Sequence, residues 1–273
     1  MPSPPTKIKY LTNKELLNEI HKSKATYCSY TDPQHVYYDF IVSNVSQITK
    51  TRIDQARKAK LAEMQLAEKK ANASRGIKEY KSSLTIDDIP RENIVVRVMT
   101  YDHVPLNPDK INTAKTVAER HIRCNFPPFQ HYIMRENEII CVLKSHWKGG
   151  LENGEFSKDH GKMTNNLAMM FMKLVDRYGH RGNWRGYTYI DEMKSQALLQ
   201  LSQVGLQFDE SRSETPNPFA YYTQTIRNSF MRILNVEKKN QNIRDDILIM
   251  HGASPSYTRM VDHEMGQNSG TSE

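Results

Sequence analysis

Tyr221, Gln224, Thr225, Asn228 and Arg232 recur at intervals of one, three and four residues, so a helix through them gathers all five on one stripe. Arg227 stands at the flank of this stripe, and Lys238 and Lys239 lie beyond its end. Arginine and lysine neutralise phosphates, amides and hydroxyls reach base edges, and an exposed tyrosine ring stacks on an unpaired base. The chemistry such a surface supplies is DNA binding, with no bond made or broken.

A second grouping has the residue types of a metal site. His121-x-x-Cys124, then Cys141 and His146, with His131 nearby, gives two cysteines and two histidines in an order that zinc sites use. The intervals match no common ribbon or finger, and the cysteines sit among strand-forming apolar residues, where small buried hydrophobes belong. No metal or cofactor is therefore expected. A metal-dependent DNA-processing enzyme using His121, His131, His146 and nearby carboxylates is the rival reading, but no H-E-x-x-H frame supports it. Lys148-Gly149-Gly150 is a glycine turn without the frame of a phosphate loop.

The DNA-facing stripe needs a helix, and the sequence starts one at Asn217-Pro218, a capping side chain followed by a proline where no N–H is needed. Phe219, Tyr222, Ile226, Phe230 and Ile233 keep core spacing on its other side, and Ile243, Ile247 and Leu248 continue the pattern. The run from Asp209 to Pro216 has no apolar period and reads as an acidic loop. Before it, Met193, Ala197, Leu201, Val204 and Phe208 form the buried stripe of another helix, which leaves Glu192, Ser195, Gln196 and Gln203 wet. A third helix is expected from Met163 to Tyr178, capped by Thr164 or Asn165, with its methionines as core filler.

Upstream, Thr12-x-x-Glu15 is a capping box opening a short helix through Leu16, Leu17 and Ile20. Tyr27, Tyr30, Tyr37, Tyr38 and Phe40 surround the Asp32-Pro33 turn and read as packing. From Val42 to about Ala73 strong helix formers dominate without proline or glycine. Between Lys50 and Lys81 ten Lys or Arg stand against four Asp or Glu, which makes this long arm basic. Arg75-Gly76 is expected to end it. The texture changes at Ser82: a strand over Ile94–Tyr101, a helix over Ile111–Ile122, and a hairpin of Phe129–Met134 with Glu138–Leu143. The resulting division is 1–81, a helical segment with the basic arm; 82–162, a small α+β insert; 163–241, the helical unit; and 242–273, a tail.

A net charge of +7 and a pI near 9.1 favour a polyanionic partner, and a mean hydropathy of −0.70 points to long exposed helices. Three cysteines without a C-x-x-C pair argue against a disulfide framework and for a reducing cytosol. The proline-rich, basic residues 1–9 lack an apolar leader core, and no run of eighteen uncharged apolar residues occurs, so a soluble protein with no membrane partner is expected.

The order of these blocks resembles region 2 of bacterial sigma factors. More narrowly, Tyr10-x-x-Asn13-Lys14-Glu15-Leu16-Leu17, Gly186-Tyr187-Thr188, Phe208-Asp209 and Asn217-Pro218-Phe219-Ala220-Tyr221-Tyr222-Thr223-Gln224 resemble the late-transcription sigma factors of T-even-type tailed phages, in the same order along the chain. The likeness covers the first two dozen residues and roughly 163–241, and the segment between is similar to that of longer marine-phage versions.

This resemblance implies a mainly α fold: a sigma region 2-like helical domain with a small α+β insert and a long basic helix. It implies no enzymatic activity and residence in the cytoplasm of an infected bacterial host. Glu192, Ser195 and Gln196, with Ser202 and Gln203, fall where the family grips the β′ clamp helices of the RNA polymerase core. Tyr221 falls where an aromatic stacks on a flipped base of an AT-rich promoter element, Asn228 where an amide reads a base, and Arg227 and Arg232 where the backbone is held. Gln224-Thr225 replaces the tryptophan pair of housekeeping factors, which implies a weakened or different wedge, as in the phage factors; the alternative is an accessory DNA- or polymerase-binding regulator that keeps the region-2 shape without initiation activity. The relatives end in a hydrophobic, acidic segment that docks on a sliding clamp; Arg259-Met-Val-Asp-His-Glu-Met265 matches it poorly. A sliding clamp or a co-activator is thus only a further possible partner.

Overall fold

The computed structural model describes residues 11–74, 82–110, 112–213 and 215–261. The expectations for residues 1–9, for Arg75-Gly76 and for the chain beyond 261 lie outside these. The protein is mainly helical with a small mixed sheet. It divides into two compact units, Met1–Met170 with Val204–Phe219, and Phe171–Gln203 with Ala220–Glu273.

In the first unit, α1 (Asn13–Ala25) begins at the capping box: the Glu15 amide donates to Thr12 Oγ1 at 3.2 Å and the Thr12 amide to Glu15 Oε2 at 3.1 Å. Leu16 and Ile20 on its inner side are fully buried. Two short strands follow, β1 (Cys28–Tyr30) and β2 (Phe40–Val42), and then the long basic helix α2 (Lys50–Ser74). Strand β3 (Val96–Met99), the short helix α3 (Val117–Arg120), and the hairpin strands β4 (Phe129–Arg135) and β5 (Glu138–Ser145) complete the main elements. A separate ladder joins β6 (Trp147–Lys148) to β7 (Glu155–Phe156).

The five-stranded sheet has the order β1-β5-β4-β3-β2, antiparallel except for β2 against β3. Alternation along these strands builds one apolar face, where Val42, Ile94, Val96, Val98 and Met134 pack with Ile48 and Ile53. Burial of each such side chain contributes about 1.5–3 kcal/mol before the entropy of ordering is set against it. Ala56 and Leu61 pack against the same cluster, so the thin apolar stripe of α2 is what attaches the basic arm to the sheet.

Three expectations are corrected. The sheet takes β1 and β2 from the N-terminal segment, so neither the boundary at 81/82 nor that at 162/163 separates compact units. The long helix starts at Lys50 and not at Val42, because Phe40–Val42 pairs with Val96–Val98 and the Thr49 hydroxyl and carbonyl take the first amides of the helix. Among the described residues of the Ile111–Ile122 stretch only Val117–Arg120 is helical, since the Arg120 carbonyl accepts from Asn107 and the Ile122 amide donates to Pro105, drawing the chain into an extended bridge.

The second unit is helical. It holds most of α4 (Asn165–Gly179), α5 (Ile190–Val204) and α6 (Pro218–Met250). Thr164 caps α4, its Oγ1 accepting from the Leu167 amide at 3.3 Å. Phe171, Val175, Tyr178, Trp184, Met193, Ala197, Leu201, Tyr222, Ile226, Phe230 and Leu234 are all buried. Ring contacts of Tyr222 with Phe171 and of Phe230 with Tyr178 and Trp184 tie α6 to the α4 side of this core.

Candidate nucleic-acid interface

Helix α6 starts where Asn217-Pro218 places it and continues without a break to Met250. Tyr222 and Phe230 have no exposed surface, so the helix cannot rotate without exposing them, and the opposite stripe is fixed outward. Gln224, Arg227, Asn228 and Arg232 are exposed there, and Tyr221 and Thr225 are half-buried. The Thr225 hydroxyl donates to the Tyr221 carbonyl at 3.0 Å, and the Tyr221 ring lies 5.3 Å from that of Tyr222. Gln224 Nε2 donates to Asn228 Oδ1 at 2.8 Å, which orients both amides one turn apart at the surface. Lys238 and Lys239 are exposed further along. Among the described residues none of Arg227, Arg232, Lys238 and Lys239 has a carboxylate within ion-pairing distance, so their charge faces solvent.

Helix α5 presents the second predicted face. Glu192, Ser195, Ser202 and Gln203 are exposed and Gln196 is half-buried. Ser195 and Ser202 return their hydroxyls to their own helix, to the Asp191 and Leu199 carbonyls at 2.8 and 2.7 Å. Helical spacing puts Leu199 at the centre of this polar stripe, and it is 52% exposed. Sequence reading passed over it because a leucine in an amphipathic helix is assigned to the core by default.

Compared with protein-family models, curated proteins and solved structures, the chain matches none.

The least expected feature is the fate of the acidic loop between α5 and α6. Glu210 is buried in the first unit beside Lys24 of α1 and Arg97 of β3. Lys24 Nζ donates to Glu210 Oε1 at 2.8 Å and to the Phe208 carbonyl at 2.8 Å. Arg97 Nη1 and the Tyr38 hydroxyl both donate to Glu210 Oε2, and His21 Nε2 lies 3.3 Å from it. The Arg97 guanidinium is held between the rings of Tyr38 and Phe129, 3.9 and 3.8 Å from their centroids. Its Nε donates to His131 Nε2 at 2.9 Å, which places the His131 proton on Nδ1, facing the His35 carbonyl at 2.6 Å. Burial alone would raise the Glu210 pKa, but Lys24, Arg97 and His21 together hold it well below the usual carboxylate range. Burial lowers the pKa of Lys24 and of His21, with Glu210 opposing the shift in each.

The residues of the metal reading are dispersed. His121 Nδ1 meets the Val117 carbonyl at 2.7 Å, His131 belongs to the Arg97 cluster, and the His146 ring packs on Phe126 with centroids 4.1 Å apart. Burial drives the His146 pKa down to about 3, and pushes Cys124 up to about 11 and Cys141 upward as well. Among the described residues no three of His, Cys, Asp and Glu stand together as a metal site requires. On α2, Arg57 donates to the Ile86 and Ile89 carbonyls and Lys60 pairs with Asp39 at 2.8 Å, so part of its basic character serves internal packing. No helix of the described residues is long and apolar enough to cross a membrane.

Proposed function

We propose that this protein is a phage-encoded sigma factor of the region-2 class that directs a host bacterial RNA polymerase core to AT-rich, minus-ten-like late promoters. The observation that carries the reading is the sorting of α6: Tyr222, Ile226 and Phe230 are buried, and Gln224, Arg227, Asn228 and Arg232 face outward with an aromatic, Tyr221, at the head of the stripe. AT steps unpair easily, and a base stacked on Tyr221 offsets part of the unstacking cost. Arg227, Arg232, Lys238 and Lys239 hold phosphates, while Gln224, Thr225 and Asn228 exchange their local hydrogen bonds for base edges. The Glu192, Ser195, Gln196, Ser202 and Gln203 face of α5 takes the β′ clamp helices. Run-off transcription from an AT-rich late-type promoter with core polymerase tests this: a promoter-dependent transcript is expected only when the protein is added.

Gln224-Thr225 favours one second reading, a polymerase-binding regulator that does not initiate, because neither side chain is a wedge of tryptophan size. Core binding without a transcript from bare core polymerase would select it.

A further inference from the structure

The last four turns of α6 leave the second unit's core and carry an apolar seam that is exposed among the described residues. Val236, Ile243, Ile247 and Met250 are 48, 47, 50 and 84% exposed. With the half-buried Ile233 and with Asn240 they recur at alternating steps of three and four residues, the a and d positions of a heptad. Ile233, Asn240 and Ile247 occupy a, and Val236, Ile243 and Met250 occupy d. A strict a/d stripe is the narrow seam that seats a second helix.

Flanking charges say which helix. Glu237 and Arg244 lie on one side of the seam, and Lys239 and Asp246 on the other. We infer that this seam pairs with the same seam of a second copy of the chain, antiparallel, in the register that sets Asn240 beside Ile243, Val236 beside Ile247 and Ile233 beside Met250. In that register Glu237 of each copy meets Arg244 of the other, and Lys239 meets Asp246, so all four flanking contacts join opposite charges. Sliding the pair by one heptad one way puts Glu237 against Glu237 and Lys239 against Lys239. Sliding it the other way opposes Arg244 to Arg244 and Asp246 to Asp246. A parallel pair places Lys239 against Arg244. Charge thus selects one arrangement of two identical helices.

Within one chain Asp246 already meets Arg259 at 2.6 Å, and Glu237 accepts from Asn240 Nδ2 at 3.2 Å. Arg244 is exposed, which makes Glu237 and Arg244 the pair that reports on the register. Lys239 is also given to DNA phosphate in the transcription reading, so the register is tested through Glu237 and Arg244, which that reading does not use.

Sedimentation equilibrium of the full chain tests it. The mass is expected to rise with concentration from 31.7 kDa toward twice that value. Ile247→Asp should remain monomeric with unchanged helical circular dichroism, since the residue it replaces is already half exposed. Glu237→Lys and Arg244→Glu should each weaken the dimer, and the double variant should restore it by exchanging the two charges. A wild-type chain that stays monomeric, a dimer that survives Ile247→Asp, a dimer tightened by Arg244→Glu alone, or a double variant that fails to recover would each overturn the proposal.

Discussion

Lys24 Nζ lies 2.8 Å from Glu210 Oε1, and both side chains are sealed from water although 186 residues separate them. Removing one member of such a pair strands the other charge in a medium that cannot solvate it, at a cost of about 3–5 kcal/mol. The losses should be graded. Glu210→Gln orphans both Lys24 and Arg97, whereas Lys24→Met leaves Glu210 still paired with Arg97. The urea midpoint is therefore expected to fall further for Glu210→Gln than for Lys24→Met; the reverse order would mean that the cluster is not organised around the carboxylate.

The same unit should lose stability with acid in two stages. Burial lowers the pKa of His21 and His131, of His103 to about 4 and of His146 to about 3. In the folded chain these rings take up protons only at lower pH, while the unfolded chain binds them from the ordinary histidine value of 6.5 downward. Stability falls as pH falls wherever the unfolded state binds more protons, so the decline on acidification begins near 6.5. Glu210 adds the second stage. Its stabilisation is complete above the ordinary carboxylate value of 4.5 and is lost as pH falls through its depressed folded value. Urea midpoints measured across this range should slope from 6.5; a flat midpoint down to the carboxylate range would show that the histidines are not held neutral.

On α5, core-polymerase binding should depend on an apolar centre as well as on polar neighbours. Leu199 is exposed among Glu192, Ser195, Gln196, Ser202 and Gln203, the arrangement in which a central hydrophobe carries contact energy and a polar rim sets register. In a pull-down with the β′ subunit, Leu199→Asp is expected to reduce binding most, and Glu192→Ala and Gln196→Ala less. Undiminished capture by all three variants would remove α5 from the interface.

What could be read beforehand follows from how local each cause is. The Thr12–Glu15 box, the Asn217-Pro218 start and the two faces of α6 are set by residues within one or two turns, and their side-chain types state the outcome. The β4–β5 hairpin is equally local, closed by Arg135-Glu-Asn137, where Glu136 and Asn137 adopt left-handed backbone angles. Nothing local marks Glu210, which sits in a loop with no apolar period and finds its partners in α1 and β3. Arg97 was hidden for a related reason: a strand of β-branched residues suggests an apolar interior, and only the carboxylate arriving from elsewhere explains a guanidinium inside it. The three-residue strands β1 and β2 were missed because pairing with distant neighbours, not propensity, defines them.

The two kinds of contact assigned to α6 separate in one experiment. A cation that neutralises one phosphate releases about 0.9 of a counterion from duplex DNA, so Arg227→Ala should flatten the slope of log affinity against log salt by about 1. Tyr221 carries no charge, and Tyr221→Ala should leave the slope on duplex unchanged. Its loss should appear only where bases unpair: permanganate reactivity of promoter thymines is expected to vanish with Tyr221→Ala while β′ binding persists. Arg227→Ala is expected to abolish open complexes too, but through the weakened duplex step, and should recover when salt is lowered. Tyr221→Ala should recover less, because low salt strengthens phosphate contacts and loosens the duplex in both variants but restores no ring on which the unpaired base can stack. If both variants respond to salt alike, the stripe binds DNA by charge alone and the assignment of base capture to Tyr221 fails.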